Sequence, residues 1–138
     1  MAIAESTRRA PTRRPKVMIS AAVLRRIEAL ADRMAMRDPA LAERLLDEVT
    51  RARIVAPEKL PATVVSIGNR VTYRDETTGR EQTVTLAYPE DADIACRRVS
   101  VMTPIGVALL GLAEGASYYW DTRDNERRVL TVIRVAPA

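Results

Sequence analysis

Ser100-Val-Met-Thr-Pro-Ile-Gly-Val-Ala-Leu-Leu-Gly-Leu-Ala-Glu-Gly115 is the stretch whose reading decides the fold. Val99 and Val101 are a β-type pair, and they run into Thr103-Pro104. Thr103 suits a helix N-cap, because its hydroxyl can accept a free backbone N–H. Pro104 suits the first helical position, where no intrahelical N–H bond is needed. Ile105, Ala108, Leu109 and Leu112 then follow at i, i+3, i+4 and i+7, which makes one apolar face. Gly111 ends the helix, and Glu114-Gly115 reads as a turn into the next strand. A helix this short is unstable alone, so the pattern predicts that it lies on a sheet with Leu109 buried.

Working outward, the flanking segments read as strands. Val64-Val65-Ser66 and Val71-Thr72-Tyr73 are short β-type runs separated by a Gly68-Asn69 turn. Glu76-Thr77-Thr78-Gly79 reads as a hairpin loop, with Gly79 available for positive φ. Gln82 to Tyr88 places Val84, Leu86 and Tyr88 on one face. Ala116, Tyr118 and Trp120 alternate with Ser117, Tyr119 and Asp121, and Asp121 to Glu126 reads as a turn. Arg127 to Val135 is apolar on both faces near Val129–Ile133 and is expected to be a central strand. The expected class is α+β: an antiparallel sheet of five or six strands crossed by one short helix.

Upstream, Ser20 caps an expected helix running to about Arg37, with a stripe at Val23/Leu24, Ile27, Leu30/Ala31 and Met34. Asp38-Pro39 ends it and starts the next, Asp38 as cap and Pro39 at the first position. The second helix, to about Arg53, carries Leu41, Leu45, Val49 and Ala52, with Asp47 and Arg51 as an i, i+4 pair. Matched stripes and a tight connection predict a short antiparallel helical hairpin. The expected divisions are a disordered basic leader at 1–18, the hairpin at 19–53, a linker at 54–62 and a β-rich domain at 63–138.

Composition narrows the chemistry. The 138 residues contain no His and one cysteine, Cys96. Imidazole catalysis, His-ligated metal and an internal disulfide are therefore excluded. The single thiol fits a reducing cytoplasm and reads as a half-buried structural cysteine. No apolar run reaches the roughly 18–20 residues of a membrane span, and none follows the basic start as in a signal peptide. The net charge of +4 belongs to the first twenty residues, where Arg8, Arg9, Arg13, Arg14 and Lys16 oppose Glu5. The rest of the chain balances, so nucleic acid is expected to be touched only indirectly or through the basic leader. Glycine loops that cradle phosphates are absent. Glu90, Asp91 and Asp93 read as a solvated acidic loop.

The motif Thr103-Pro104-Ile105-Gly106, with Gly111 and Gly115 at their spacings, resembles the signature of the C-terminal domain of Gre-type transcription factors. Together with VVSIGNRVTYRD and ADIACRRVSV upstream, it looks closest to the Rnk branch, the regulators of nucleoside diphosphate kinase. The resemblance covers about Ile54 to Val135, and more loosely Lys16 to Ala52. It implies an FKBP-like β domain and docking on RNA polymerase near its secondary channel, with Thr103, Pro104, Ile105 and Gly106 as the docking motif. It also implies an effect on a nucleoside diphosphate kinase. Gre factors hold a catalytic Mg²⁺ with acidic residues at the tip of a long coiled coil. Here the tip is Arg33-Met-Ala-Met-Arg37-Asp38-Pro39, with one carboxylate and shorter arms. The expectation is a non-enzymatic binding protein with no catalytic residue, cofactor or metal. The alternatives are a Gre-like cleavage factor acting through Asp38 and, more remotely, a peptidyl-prolyl isomerase suggested by the FKBP-like fold, for which the chain lacks Phe.

Overall fold

A computed structural model describes residues 16–121 and 126–137. The leader up to residue 15 and most of the turn expected at Asp121–Glu126 lie outside the described residues. Strand β1 (Met18–Ser20) leads into helix α1 (Ala21–Met34), helix α2 (Pro39–Arg51) and strand β2 (Arg53–Val55). The β-rich part holds β3 (Arg70–Asp75), β4 (Arg80–Ala87), β5 (Arg98–Ser100), helix α3 (Pro104–Leu109), β6 (Ser117–Asp121) and β7 (Arg127–Ala136). Among the described residues no helix is long and apolar enough to cross a membrane.

The caps behave as the residue types dictate. Val23 N donates to Ser20 Oγ at 3.2 Å, and Leu41 N donates to Asp38 Oδ1 at 3.1 Å. Ile27, Leu30 and Ala31 of α1 and Leu41, Ala42, Leu45 and Val49 of α2 are buried. The helix α1 stops at Met34, short of Arg37, because Arg37 N and Asp38 N both bond back to Met34 O and close the turn. Arg51 pairs with Glu48 rather than with Asp47. Met18, read with the leader, belongs to β1, which pairs in parallel with β2 in the register Met18↔Arg53 to Ser20↔Val55. The two helices thus leave and rejoin the chain side by side.

The five-stranded sheet has the order β5-β4-β3-β7-β6. It is mixed rather than antiparallel, because β5 runs parallel to β4. Two 3₁₀ turns, Pro89–Asp91 and Ile94–Cys96, carry the chain back for that pairing. Strand β7 lies between β3 and β6, as expected of an interior strand. Only one of its faces is covered, however. Leu130, Val132 and Val135 are buried, whereas Ile133, bypassed at a bulge opposite Thr72/Tyr73, is 37% exposed.

Val64–Ser66 is not a strand. Val65 N donates to Leu112 O at 2.8 Å and Gly111 N donates to Val65 O at 2.9 Å, so this segment pairs with the loop after α3. That loop also receives Met18 N on Gly111 O at 3.1 Å. Gly111 has φ +83, and a Cβ there would sit 2.3 Å from Val17 Cγ1, so both its conformation and its space demand glycine. The core is continuous from Ile19, Ile27 and Leu45 through Val107, Leu109 and Leu112 to Val71, Leu86 and Leu130.

Leu109 is fully buried at the centre of this core. Leu109→Ala should lower unfolding free energy by about 2–5 kcal/mol, read as a reduced midpoint in urea titration.

Candidate functional site around the signature helix

The turn into α3 is built by two of the four signature residues. Thr103 Oγ1 accepts from Gly106 N at 3.0 Å and donates to Ser100 O at 2.7 Å, so one hydroxyl caps the helix and ties it to β5. A Cβ on Gly106 would stand 2.2 Å from Ser100 O and 2.6 Å from Val101 Cα, which no side chain can occupy. Pro104 is exposed and Ile105 half-buried. Pro104 is the member of the four that faces outward.

The connection between α1 and α2 lies beside this turn. Arg33, Met36 and Arg37 are exposed, Met36 at 89%. A recess of about 340 Å³ is lined by Leu30, Arg33, Met34, Arg37, Asp38 and Leu41 from the helices and by Pro89 and Met102 from the β-rich part. A second, of about 300 Å³, is lined by Asp38, Ala40, Leu41, Arg44, Pro104, Trp120 and Asp121. Asp38 and Leu41 line both. The structure therefore brings Arg33, Arg37, Asp38 and Pro104 onto one continuous surface, whereas Thr103 and Gly106 support it from behind.

The residues that fix this surface were not singled out by sequence reasoning. Arg44 Nη2 donates to Pro104 O at 2.9 Å, and its guanidinium lies 5.2 Å from the Trp120 ring and 5.6 Å from the Tyr118 ring. Those contacts hold α2 against α3 and β6. One turn on, Glu48 is 4% exposed. Tyr118 Oη donates to Glu48 Oε2 at 2.7 Å, and Arg51 donates to Glu48 Oε1. Burying a carboxylate costs several kcal/mol unless charge and hydrogen bonds compensate, and here both oxygens have donors. A signal for Glu48 was present: it falls on the buried stripe of Leu41 and Leu45, where a solvated charge has no place.

Burial raises the Tyr118 hydroxyl above the ordinary tyrosine value, and the Glu48 carboxylate beside it adds to the rise, while Arg44 opposes it. On the other side of the helices, Arg26 stacks 4.4 Å over Tyr88 and pairs with Glu90. Of the acidic loop, Asp93 Oδ1 accepts from Ala95 N at 3.0 Å. Cys96 is exposed rather than half-buried, because it ends a 3₁₀ turn none of whose residues is buried.

Comparison with known proteins places these elements. The family model described as "Rnk N-terminus" matches residues 15–55, and that of "Transcription elongation factor, GreA/GreB, C-term" matches 60–137. The chain is 35% identical over 108 residues to the regulator of nucleoside diphosphate kinase of Escherichia coli K12, covering 78% of this chain and 79% of that protein. The chain belongs to the Rnk family. A solved GreA/GreB elongation factor from Nitrosomonas europaea superposes with TM-score 0.69 at 33% identity, covering 89% of this chain and 99% of that one. A GreA of Azorhizobium caulinodans is 33% identical over 73 residues, which is 53% of this chain and 46% of that protein. The Glu48–Tyr118 and Arg44–Pro104 contacts join the Rnk N-terminal segment to the Gre-like C-terminal segment.

Tyr118→Phe removes one of the donors to Glu48 and should cost about 1–3 kcal/mol. A tyrosine raised in the folded state favours folding fully below its unfolded pKa near 10, and that contribution disappears as pH rises through the folded value. Tyr73 and Tyr88 are raised as well and act in the same direction. Urea midpoints taken from pH 8 to pH 11 should therefore fall, and should fall less steeply in Tyr118→Phe.

Proposed function

We propose that this chain is a non-catalytic regulator that docks on RNA polymerase beside the secondary channel and does not stimulate transcript cleavage. The Rnk and Gre resemblance supplies the partner. The carrying observation is Asp38. It is the single carboxylate in the connection between α1 and α2, and its Oδ1 is engaged by Leu41 N. Arg33 and Arg37 flank it on the same recess. Mg²⁺ is a hard cation that needs carboxylate oxygens, and two arginines beside one capping carboxylate oppose its binding.

In this reading the segment 63–138, with its FKBP-like curl, is the docking domain. Thr103, Pro104, Ile105 and Gly106 form the docking motif, Pro104 making the contact on a turn built by Thr103 and Gly106. The short hairpin at 19–53, joined through 54–62, points toward the channel without filling it. The leader at 1–18 is an accessory basic tail, and a cytoplasmic location fits the partner. An effect on a nucleoside diphosphate kinase is carried over from the relative's name, and no residue of the site points to it.

Two measurements test the reading. Asp38→Ala should cost about 0.5–2 kcal/mol of stability and leave affinity for core polymerase nearly unchanged. Loss of a cleavage-stimulating activity in that variant, with stability intact, would make Asp38 a metal ligand and the chain a Gre-like cleavage factor. In a stalled elongation complex with labelled RNA, saturating protein should not shorten the transcript above background, yet should displace a bound Gre factor. Failure to compete would end the docking reading.

A further inference from the structure

The face of the sheet turned away from the helices carries a recess of about 330 Å³, lined by Arg70, Thr83, Val84, Thr85, Cys96 and Arg97. Strand register explains how it arises. Thr85 lies opposite Arg70 on β3 and opposite Arg98 on β5. Thr72 lies opposite Thr83 on β4 and opposite Arg134 on β7. Residues directly opposite one another project to the same face. The 2.9 Å bond between the Thr72 and Thr83 hydroxyls is in keeping with that. Register thereby puts Arg70, Arg98 and Arg134 on one face, and Arg97, next to Arg98, joins Arg70 in lining the recess.

Among the described residues, none of the four takes part in an ion pair, whereas Arg74 at the other end pairs with Glu76 and Glu81. The acid nearest along the chain, Asp93, has its Oδ1 on Ala95 N. Like charges on one face repel unless an anion joins them. Arg97 adds a second, independent observation. Its φ is +57, the only positive value outside glycine among the described residues. Left-handed backbone is unfavourable for a residue that carries a Cβ. The conformation is fixed by Thr85 N donating to Arg97 O at 2.8 Å and by Arg97 N donating to Ile94 O at 3.0 Å. Glycine would fill the position without strain, yet an arginine stands there beside the recess.

We propose that this recess is an anion site for a chain of phosphoryl groups. Guanidinium forks match phosphate oxygens bidentately, and threonine hydroxyls supply further donors. Among the described residues no carboxylate lines the recess to repel the ligand. No aromatic ring among the described residues lines it either, so the site reads the phosphates rather than a stacked base. Inorganic polyphosphate, the tail of a nucleoside polyphosphate and the backbone of a single-stranded nucleic acid share this chemistry.

Cys96 lies in the lining, is exposed and is the only cysteine of the chain, which makes it a built-in reporter. The test follows alkylation of Cys96 by iodoacetate in the full chain, with sodium tripolyphosphate as the probe and sodium chloride at matched ionic strength as the control. Tripolyphosphate should slow the reaction, and sodium chloride should not do so to the same extent. Arg97→Gly and Arg70→Gln should each raise the concentration needed for half-protection about tenfold, the loss expected for one charge-assisted contact. Arg97→Gly should keep or raise the thermal midpoint, which separates lost binding from lost fold. Parallel arms use ATP and a ten-residue oligouridylate. Protection by ATP equal to that by tripolyphosphate assigns a small phosphate chain, and stronger protection by the oligouridylate assigns a nucleic-acid backbone; both uphold the site. Absence of protection by all three, equal protection by sodium chloride, or protection unchanged in both variants would overturn it.

Discussion

Among the described residues one carboxylate is buried, and the structure depends on it. Glu48 comes from a helix that the Rnk N-terminal model covers, and its Tyr118 donor from a strand that the Gre-like model covers. Removing either donor leaves charge in an apolar core, where the penalty is the full desolvation of that group. A purely apolar contact at this seam would tolerate sliding, because hydrophobic attraction has no direction. The hydrogen bond has a direction and a length, so it fixes how far α2 advances along the sheet. Arg44 acts in concert one turn earlier, with its guanidinium between two aromatic rings and a carbonyl. Arg44 itself lines the recess beside Pro104, so its contacts hold one wall of that recess against the other.

Much of the fold was legible in residue types. Ser20, Asp38-Pro39 and Thr103-Pro104 each announce a helix start by local chemistry, and each cap is present in the structure. Local chemistry could not announce the partners of short extended segments. Val64–Ser66 reads as a strand because two valines are adjacent, but its hydrogen bonds go to a loop. The parallel pair of β1 with β2, and of β5 with β4, is a long-range choice made by packing of whole helices and turns. Strand β7 was read as apolar on both sides. A bulge there turns Ile133 to solvent, and bulges leave no mark in a hydrophobic pattern.

The candidate site was legible in part. Thr103 and Gly106 were visible as a motif, and the structure supplies the reason for both: one hydroxyl with two bonds, and a backbone approach too close for a Cβ. Arg33, Arg37 and Asp38 were visible as a tip. That tip and motif share one surface follows from the Glu48 and Arg44 contacts across the seam, which join residues some sixty to seventy positions apart. The charge of Glu48 on an otherwise apolar stripe was the available sign. The basic end of the outer sheet face stayed hidden, since Arg70, the Arg97-Arg98 pair and Arg134 come from three separate segments that only the folded sheet brings together.

The parallel β1–β2 clasp has a consequence for how the chain acquires its shape during synthesis. Everything from Met18 to Val55 leaves the ribosome first, yet Met18 bonds to Gly111 and Glu48 waits for Tyr118. Until those later residues emerge, α1 and α2 hold a carboxylate on their apolar side and lack the surface that covers it. The nascent helices therefore cannot complete their core until those residues are available. The early segment also has less bare apolar surface with which to associate wrongly, because the same carboxylate that later anchors the fold keeps its sticky side wet in the interval.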